Sequence, residues 1–293
     1  MILVTLLWST AGVVTRQLDA ARSFEVTFWR SAFNAVALAL ALGYLRGAAF
    51  WRGLLRSPWP VWVSGLCWSV MYTAFMVAIT LTSVANVLVT MSTGPLLTAV
   101  LSRIVLGHRM AARTWVAIAV AGAGIAWMFA SEAGASSAEH LIGIGVAFCV
   151  PVAAAINWTL LQHVHHGQAD AGNDMMSAVL IGAVISLLGV LPLAVPFQAS
   201  AHDLTLLALL GVFQLALPCL IVVRVTRVLP GPEVSLLGLL EVVLGVAWAW
   251  IGAGERPGAA TLAGGTLVIG ALVVNELLAM RAKADEPAVS PIA

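Results

Sequence analysis

The chain holds one lysine, two tyrosines and three cysteines in 293 residues, and charged residues make up only 9% of it. Soluble domains carry about 25%, so an ordinary water-facing surface is excluded. A net charge of +1 leaves neither a basic face for nucleic acid nor a strong acidic field. Cys67, Cys149 and Cys219 form no CxxC pair and sit in apolar runs, where they read as small buried hydrophobes that define no redox compartment. The HExxH, GxSxG, GxGxxG and phosphate-loop motifs are all missing. The His-rich stretch at 163–166 has no acidic or cysteine neighbour in sequence and reads as histidines in a wet loop. No catalytic residue, metal ligand or cofactor site is expected.

What fills the chain instead is apolar sequence, with 61% hydrophobic residues and a mean hydropathy of +1.01. Runs of membrane length fall at about 2–18, 24–45, 59–81, 84–106, 113–130, 141–162, 175–197, 204–223, 231–253 and 258–280. At 1.5 Å per residue such runs cross a hydrocarbon core of about 30 Å. The pattern predicts an all-α membrane protein with ten transmembrane helices. The first run lacks a basic n-region and a good cleavage site, so it reads as a span, one that starts abruptly as if a short cytoplasmic leader preceded it. The tail from 282 to 293 is polar, contains proline and is expected to be disordered and cytoplasmic. With both termini cytoplasmic, the inside holds Arg46, Arg52, Arg56, Arg103, Arg109, Arg113, Arg224, Arg227, Arg281 and Lys283, and the outside only Arg16, Arg22 and Arg256. That is the positive-inside bias, and the expected location is the inner (plasma) membrane.

Shifted by 147 residues, the stretch from Ala85 lies over the stretch from Pro232, and Gly107-His108-Arg109 aligns with Gly254-Glu255-Arg256. The chain reads as two five-span repeats, residues 1–131 and 140–281. Five crossings per copy turn the second copy upside down, the inverted repeat of secondary transporters. The charge count agrees: it puts the Gly107 loop inside and the Gly254 loop outside.

The residue that most needs a reason is Glu241. From Gly231 to Ala253 the only other charge is Glu233, and an acidic group at the centre of a span costs about 2.5–3.5 kcal/mol, against about 0.3–0.6 kcal/mol returned by each Leu, Val or Ile. The helix can insert, and the carboxylate is a candidate for substrate contact or proton exchange. Other polar and aromatic groups at similar depth are Trp8 and Ser9 on span 1, Trp68, Ser69, Tyr72 and Thr73 on span 3, and Thr90, Ser92 and Thr93 on span 4. Asn157 and Trp158 on span 6, Gln214 on span 8 and Ser235 on span 9 complete the set. Serine and threonine commonly bond their own helix backbone, and tryptophans form interfacial belts. Asn157, Gln214 and Glu241 are the costliest to bury and the stronger candidates. Gly122, Gly124, Gly264, Gly265 and Gly270 are read as close-packing positions. Arg30 lies early enough in span 2 to snorkel to the outer interface.

Taken in order, "LLWSTAGVVTR" with Trp8, "TFWRSAFNAVAL" with Arg30, "VTMSTGPLLTAVLSRIVLGHRM" with Pro95, and "SLLGLLEVVLGVAWAWIGAGERP" with Glu241 and Glu255 resemble the EamA-like ten-helix family of the drug/metabolite transporter superfamily. Two positions depart from the family pattern: His108 stands where a glutamate is usual and Val242 where a proline is usual. The resemblance implies a mid-helix proline at Pro95 and a structural or gating ion pair for Arg30. It implies an integral transporter of small metabolites, an exporter of amino acids or related compounds, open to proton coupling. The alternatives are a passive facilitator channel and a membrane-embedded enzyme, for which the sequence offers no nucleophile and base at depth. The partners are the substrate and the lipid bilayer; oligomeric state is not legible. The substrate path is expected between the repeats, lined by spans 1, 3, 4, 6, 8 and 9, with spans 5 and 10 peripheral.

Overall fold

The computed structural model describes residues 1–21, 23–106, 111–133, 138–166, 175–225 and 231–284. Helices joined by short turns make up the described residues, and no strand occurs among them. Span 1 is split into α1 (Ile2–Ser9) and α2 (Ala11–Thr15), and span 2 is α3 (Ser23–Arg46). A short helix that the sequence did not announce, α4 (Ala48–Leu54), follows a corner at Gly47, whose φ of 65° favours glycine. Span 3 is α5 (Trp59–Leu81), and span 4 is split into α6 (Val84–Met91) and α7 (Gly94–Leu106). Spans 5, 6 and 7 are α8 (Ala112–Ala133), α9 (Ala138–His166) and α10 (Met175–Ala194). Span 8 runs through α11 (Ala201–Leu209), a π-helical segment (Leu210–Ala216) and α12 (Leu217–Val225). Spans 9 and 10 are α13 (Gly231–Ala253) and α14 (Ala259–Ala284).

Seven of these helical stretches are long and apolar enough to cross a membrane, and the shorter apolar stretches Ile2–Thr15, Ala112–Met128 and Leu240–Ala253 supply three more, giving the ten expected. The side chains are distributed as in a membrane protein. Leu40, Tyr44, Leu188 and Ile251 point outward, whereas Arg30, Asn34, Asn86, Asn157 and Gln214 are at most 4% exposed. Lipid accepts the first group, and the second must find partners inside the bundle.

The packing repeats when the halves are exchanged. Span 3 packs on span 6 as span 8 packs on span 1, and span 7 packs on span 3 as span 2 packs on span 8. Spans 2 and 7, 4 and 9, and 5 and 10 meet their own counterparts. Tyr72 and Cys219, separated by the 147 residues that align the halves, touch across this pseudo-two-fold axis with Oη and Sγ 3.7 Å apart. Spans 5 and 10 cross where Gly124 and Gly264 allow backbone contact: a Cβ on either would lie 2.8 or 2.6 Å from the other's carbonyl oxygen. Gly265 packs on Val89, while Gly122 and Gly270 have open space where a Cβ would be and are not contact positions.

Span 7 reaches span 3 through a similar approach. A Cβ on Gly182 would meet Trp68 Cβ at 2.5 Å and the Gly65 carbonyl at 2.8 Å. Gly182→Val is therefore expected to force the two helices apart and displace the Trp68 ring, lowering stability by about 2–3 kcal/mol, in the range for overpacked interiors. Thermal unfolding in detergent checks this; a melting temperature unchanged from wild type would refute it.

Three spans are interrupted, each with a local cause. At the breaks in spans 1 and 4, hydroxyls bond carbonyls three residues back: Ser9 to Leu6 (2.8 Å), Thr10 to Leu7 (2.7 Å), Ser92 to Val89 (2.6 Å) and Thr93 to Thr90 (2.7 Å). Such back-bonding loosens a helix. Pro95 then sits in the first turn of α7, where its missing N–H costs no bond, so it opens a second helix and does not kink a continuous one. In span 8 the π turn falls where Gly211 meets the Arg30 carbonyl and the Phe33 side chain; a Cβ there would lie 2.6–2.7 Å from both. Span 9 is continuous, as Val242 in place of proline allows. The helix α9 runs on to His166, so the His-rich stretch continues a helix and is not a loop; its side chains lie outside the described residues. Ala282, Lys283 and Ala284 extend α14, and the rest of the expected tail lies outside the described residues, as do Gly107 and His108.

Candidate functional site

Arg30 turns inward. It is 2% exposed, so it does not snorkel, and no carboxylate lies within 4.0 Å of its guanidinium among the described residues. Its partner is neutral: Nη2 and Nε donate to Gln214 Oε1 at 2.8 and 3.3 Å. Gln214 in turn donates through Nε2 to the Trp8 carbonyl at 3.2 Å. The Phe75 ring lies 5.7 Å from the guanidinium carbon, a cation–π distance. Spans 1, 2, 3 and 8 are thus joined around one buried charge. The π turn places Gln214 here, and π bulges recur at functional positions.

Beside this centre, Tyr72, Cys219 and Glu241 all lie within electrostatic reach of Arg30. Glu241 is half-buried. It makes no hydrogen bond among the described residues. The Trp68 ring lies tilted 5.5 Å from Tyr72 and edge-on 6.2 Å from Trp158, so an aromatic cluster runs from span 3 to span 6. Asn157 accepts from Ser64 Oγ at 2.6 Å, with its Nδ2 unpaired. On the facing side, Trp248 Nε1 donates to Ser9 Oγ at 3.2 Å, joining spans 9 and 1.

The structure therefore brings Trp8, Ser9, Trp68, Tyr72, Asn157, Trp158, Gln214, Glu241 and Arg30 into one seam between the halves. Thr90 and Thr93 are buried but spend their hydroxyls on their own helix, Thr90 on the Asn86 carbonyl at 2.7 Å. The side chain of Ser235 lies outside the described residues. Thr73 faces another way, sharing Ser186 Oγ with Ser31 at 2.9 Å each. Asn34, Phe75, Ser64, Ser186 and Trp248 join them without being among the sequence candidates. Asn34 was legible in principle, as an amide one turn beyond Arg30 on the same helix face.

At the end of the bundle that carries Arg16, the seam is shut by a polar latch. Glu255 Oε2 accepts from Arg16 Nε at 2.9 Å, and its Oε1 accepts from the Val84 amide at 2.6 Å, at the first turn of α6. Arg16 also donates to the Thr82 carbonyl at 2.8 Å, and Gln17 to the Gly252 carbonyl at 3.1 Å. Gly254, with φ 66°, makes the corner after α13 from which Glu255 reaches back. Behind the latch, Asn86 accepts from Thr261 at 2.7 Å and contacts His140 at 3.1 Å.

Two other features hold less. Asp19, His202 and Asp203 bring three ligand atoms within 4.8 Å of one another. Asp203, however, already accepts four backbone amides, from Asp19, Ala20, Ala21 and Ser200 at 2.8–3.2 Å, which explains it as a loop staple. A groove of about 510 Å³ opens between α7, α8 and α9, but apart from Thr93 its lining is apolar, with nothing to orient a polar solute.

No curated protein matches the chain in sequence. A solved crystal structure of a protein aligns over 96% of both chains with a TM-score of 0.64 at 22% identity, which speaks to the fold alone. The family comparison reaches further: the model of the EamA-like transporter family matches residues 1–130 and again residues 141–276. The two matches divide the chain where the packing divides it, and a chain built of these two copies around an internal polar seam belongs to the EamA-like transporter family.

Proposed function

We propose that the protein exports amino acids or closely related small metabolites across the inner (plasma) membrane, through the seam between its two halves, with both termini cytoplasmic and the Arg16 end outside. The observation that carries this reading is the buried Arg30 centre. A cation, an unpaired amide and a carboxylate, with the Trp68, Tyr72 and Trp158 rings close by, suit a small polar solute with charged ends. The same centre is held by four different spans, so it can change shape when the halves move. In this reading span 2 also lines the path, through Arg30 and Asn34.

Flux of labelled amino acids in proteoliposomes, with and without a proton gradient, tests the reading. Accelerated flux under the gradient is expected, and Glu241→Gln, which keeps size and hydrogen bonding but removes the titratable group, should abolish the acceleration while substrate exchange persists at saturating solute. Gradient-driven flux unchanged in the Gln variant would remove Glu241 from coupling. Equal wild-type flux with and without the gradient would make the protein a passive facilitator.

A further inference from the structure

Arg30 carries five N–H donors in a fixed fork, and Gln214 accepts from only two of its nitrogens. The third, Nη1, is buried with no partner. Asn34, one turn further along α3 and fully buried, has neither Nδ2 nor Oδ1 bonded. The Tyr72 hydroxyl lies near Asn34 without the geometry of a hydrogen bond, its one contact being the weak Cys219 sulfur at 3.7 Å. Unpaired polar atoms at such depth are expensive, and each calls for an occupant. Here they converge: one edge of a guanidinium, one amide and one phenol O–H, from α3 and α5.

An arginine and a glutamate within electrostatic reach of each other in a low-dielectric interior ordinarily close into an ion pair. These two do not. Gln214 holds the guanidinium by its other edge, and Glu241 makes no hydrogen bond among the described residues. The charges of Arg30 and Glu241 are complementary to those of a dipolar solute with an anionic end and a cationic end. We propose that Arg30 Nη1, Asn34 and the Tyr72 hydroxyl form the carboxylate subsite of the transport site, and that Glu241 receives the ammonium group of the same solute, so that the site selects small zwitterions. This rests on the transport reading above and adds which atoms hold which end.

Asn34 makes the cleanest test because its side chain bonds nothing in the protein. Asn34→Leu, similar in size, removes the subsite's amide without orphaning a neighbour and should melt no lower than wild type. Binding is read by thermal shift in detergent with a panel of common L-amino acids. The best binder is then compared with its deaminated analogue, which keeps only the carboxylate, and its decarboxylated analogue, which keeps only the ammonium. Asn34→Leu is expected to weaken the amino acid and the carboxylate-only analogue about tenfold, the worth of one hydrogen bond to a charged group, and to leave the ammonium-only analogue unchanged. Glu241→Gln should show the reverse pattern. Wild-type affinity for the amino acid in a folded Asn34→Leu protein, or equal losses for both analogues, would overturn the subsite while proteoliposome flux still stood. Absence of flux for any amino acid would instead overturn the transport reading itself.

Discussion

Gln214→Leu is expected to be among the most damaging single substitutions in the protein. Arg30 is 2% exposed and Gln214 Oε1 is the acceptor of both its hydrogen bonds. Removing that oxygen leaves a full charge in the bundle with no hydrogen-bond acceptor among the described residues, the Phe75 face beside it and Glu241 within electrostatic reach. Taking away the acceptor of a buried charged donor costs more than the ~1–3 kcal/mol of a neutral one, because the orphaned charge keeps its desolvation penalty. Arg30→Leu should cost less, about 1–3 kcal/mol, since it orphans a neutral amide oxygen. The double variant Arg30→Leu/Gln214→Leu should recover most of the loss, as two apolar groups need no partner. Gln214→Glu, which offers a carboxylate at the same distance, should fold well. Melting temperatures of the four variants in one detergent decide the matter. Strictly additive losses in the double variant would show that the Arg30–Gln214 contact does not hold the centre. The stable double variant is also expected to be inactive in flux, which separates folding from function at this position.

The two residues also show what the sequence could convey. Ten spans were legible because bilayer thickness fixes their length, and the duplication was legible because Gly254-Glu255-Arg256 matches Gly107-His108-Arg109 at one shift along the chain. The direction of Arg30 was not. Span 2 is apolar on most faces, so its pattern carries no phase to say which side faces inward, and seven residues from the helix start, about 10 Å at 1.5 Å per residue, lies within reach of either the interface or the core. Gln214 stood out by cost of burial, but its pairing depends on a π turn created where Gly211 meets the Arg30 backbone, a contact between distant segments. The breaks in spans 1 and 4 were written in "LLWST" and "TMSTGP", where consecutive hydroxyl residues bond backward. The Arg16–Glu255 latch was invisible, because it joins two loop charges 239 residues apart. The short helix α4 was not legible, since seven residues are too few for a periodicity to register.

Locking the Arg16 end should stop transport altogether. The latch itself is a weak lever: Arg16 and Glu255 are 30% and 18% exposed, and pairs that water can reach contribute about 0–1 kcal/mol, so Glu255→Gln should change rates modestly. A covalent lock is available next to it. A Cβ placed on Gly252 would lie 3.8 Å from Cβ of Val13, and disulfides form at Cβ separations of about 3.8 Å. Val13 is on α2 and Gly252 on α13, so Val13→Cys/Gly252→Cys, with Cys67, Cys149 and Cys219 replaced by alanine, would tie the first half to the second across the seam. If solute leaves by parting of the halves at this end, as alternating access between inverted repeats requires, the oxidised protein should carry no more label than protein-free vesicles. Reduction should restore flux, and amino-acid binding in detergent should be the same before and after oxidation, because the Cys219→Ala change beside the Arg30 centre is common to both forms. Bond formation is verified by mass spectrometry. A fully oxidised protein with undiminished flux would mean that the Arg16 end never opens and that the solute takes another way out.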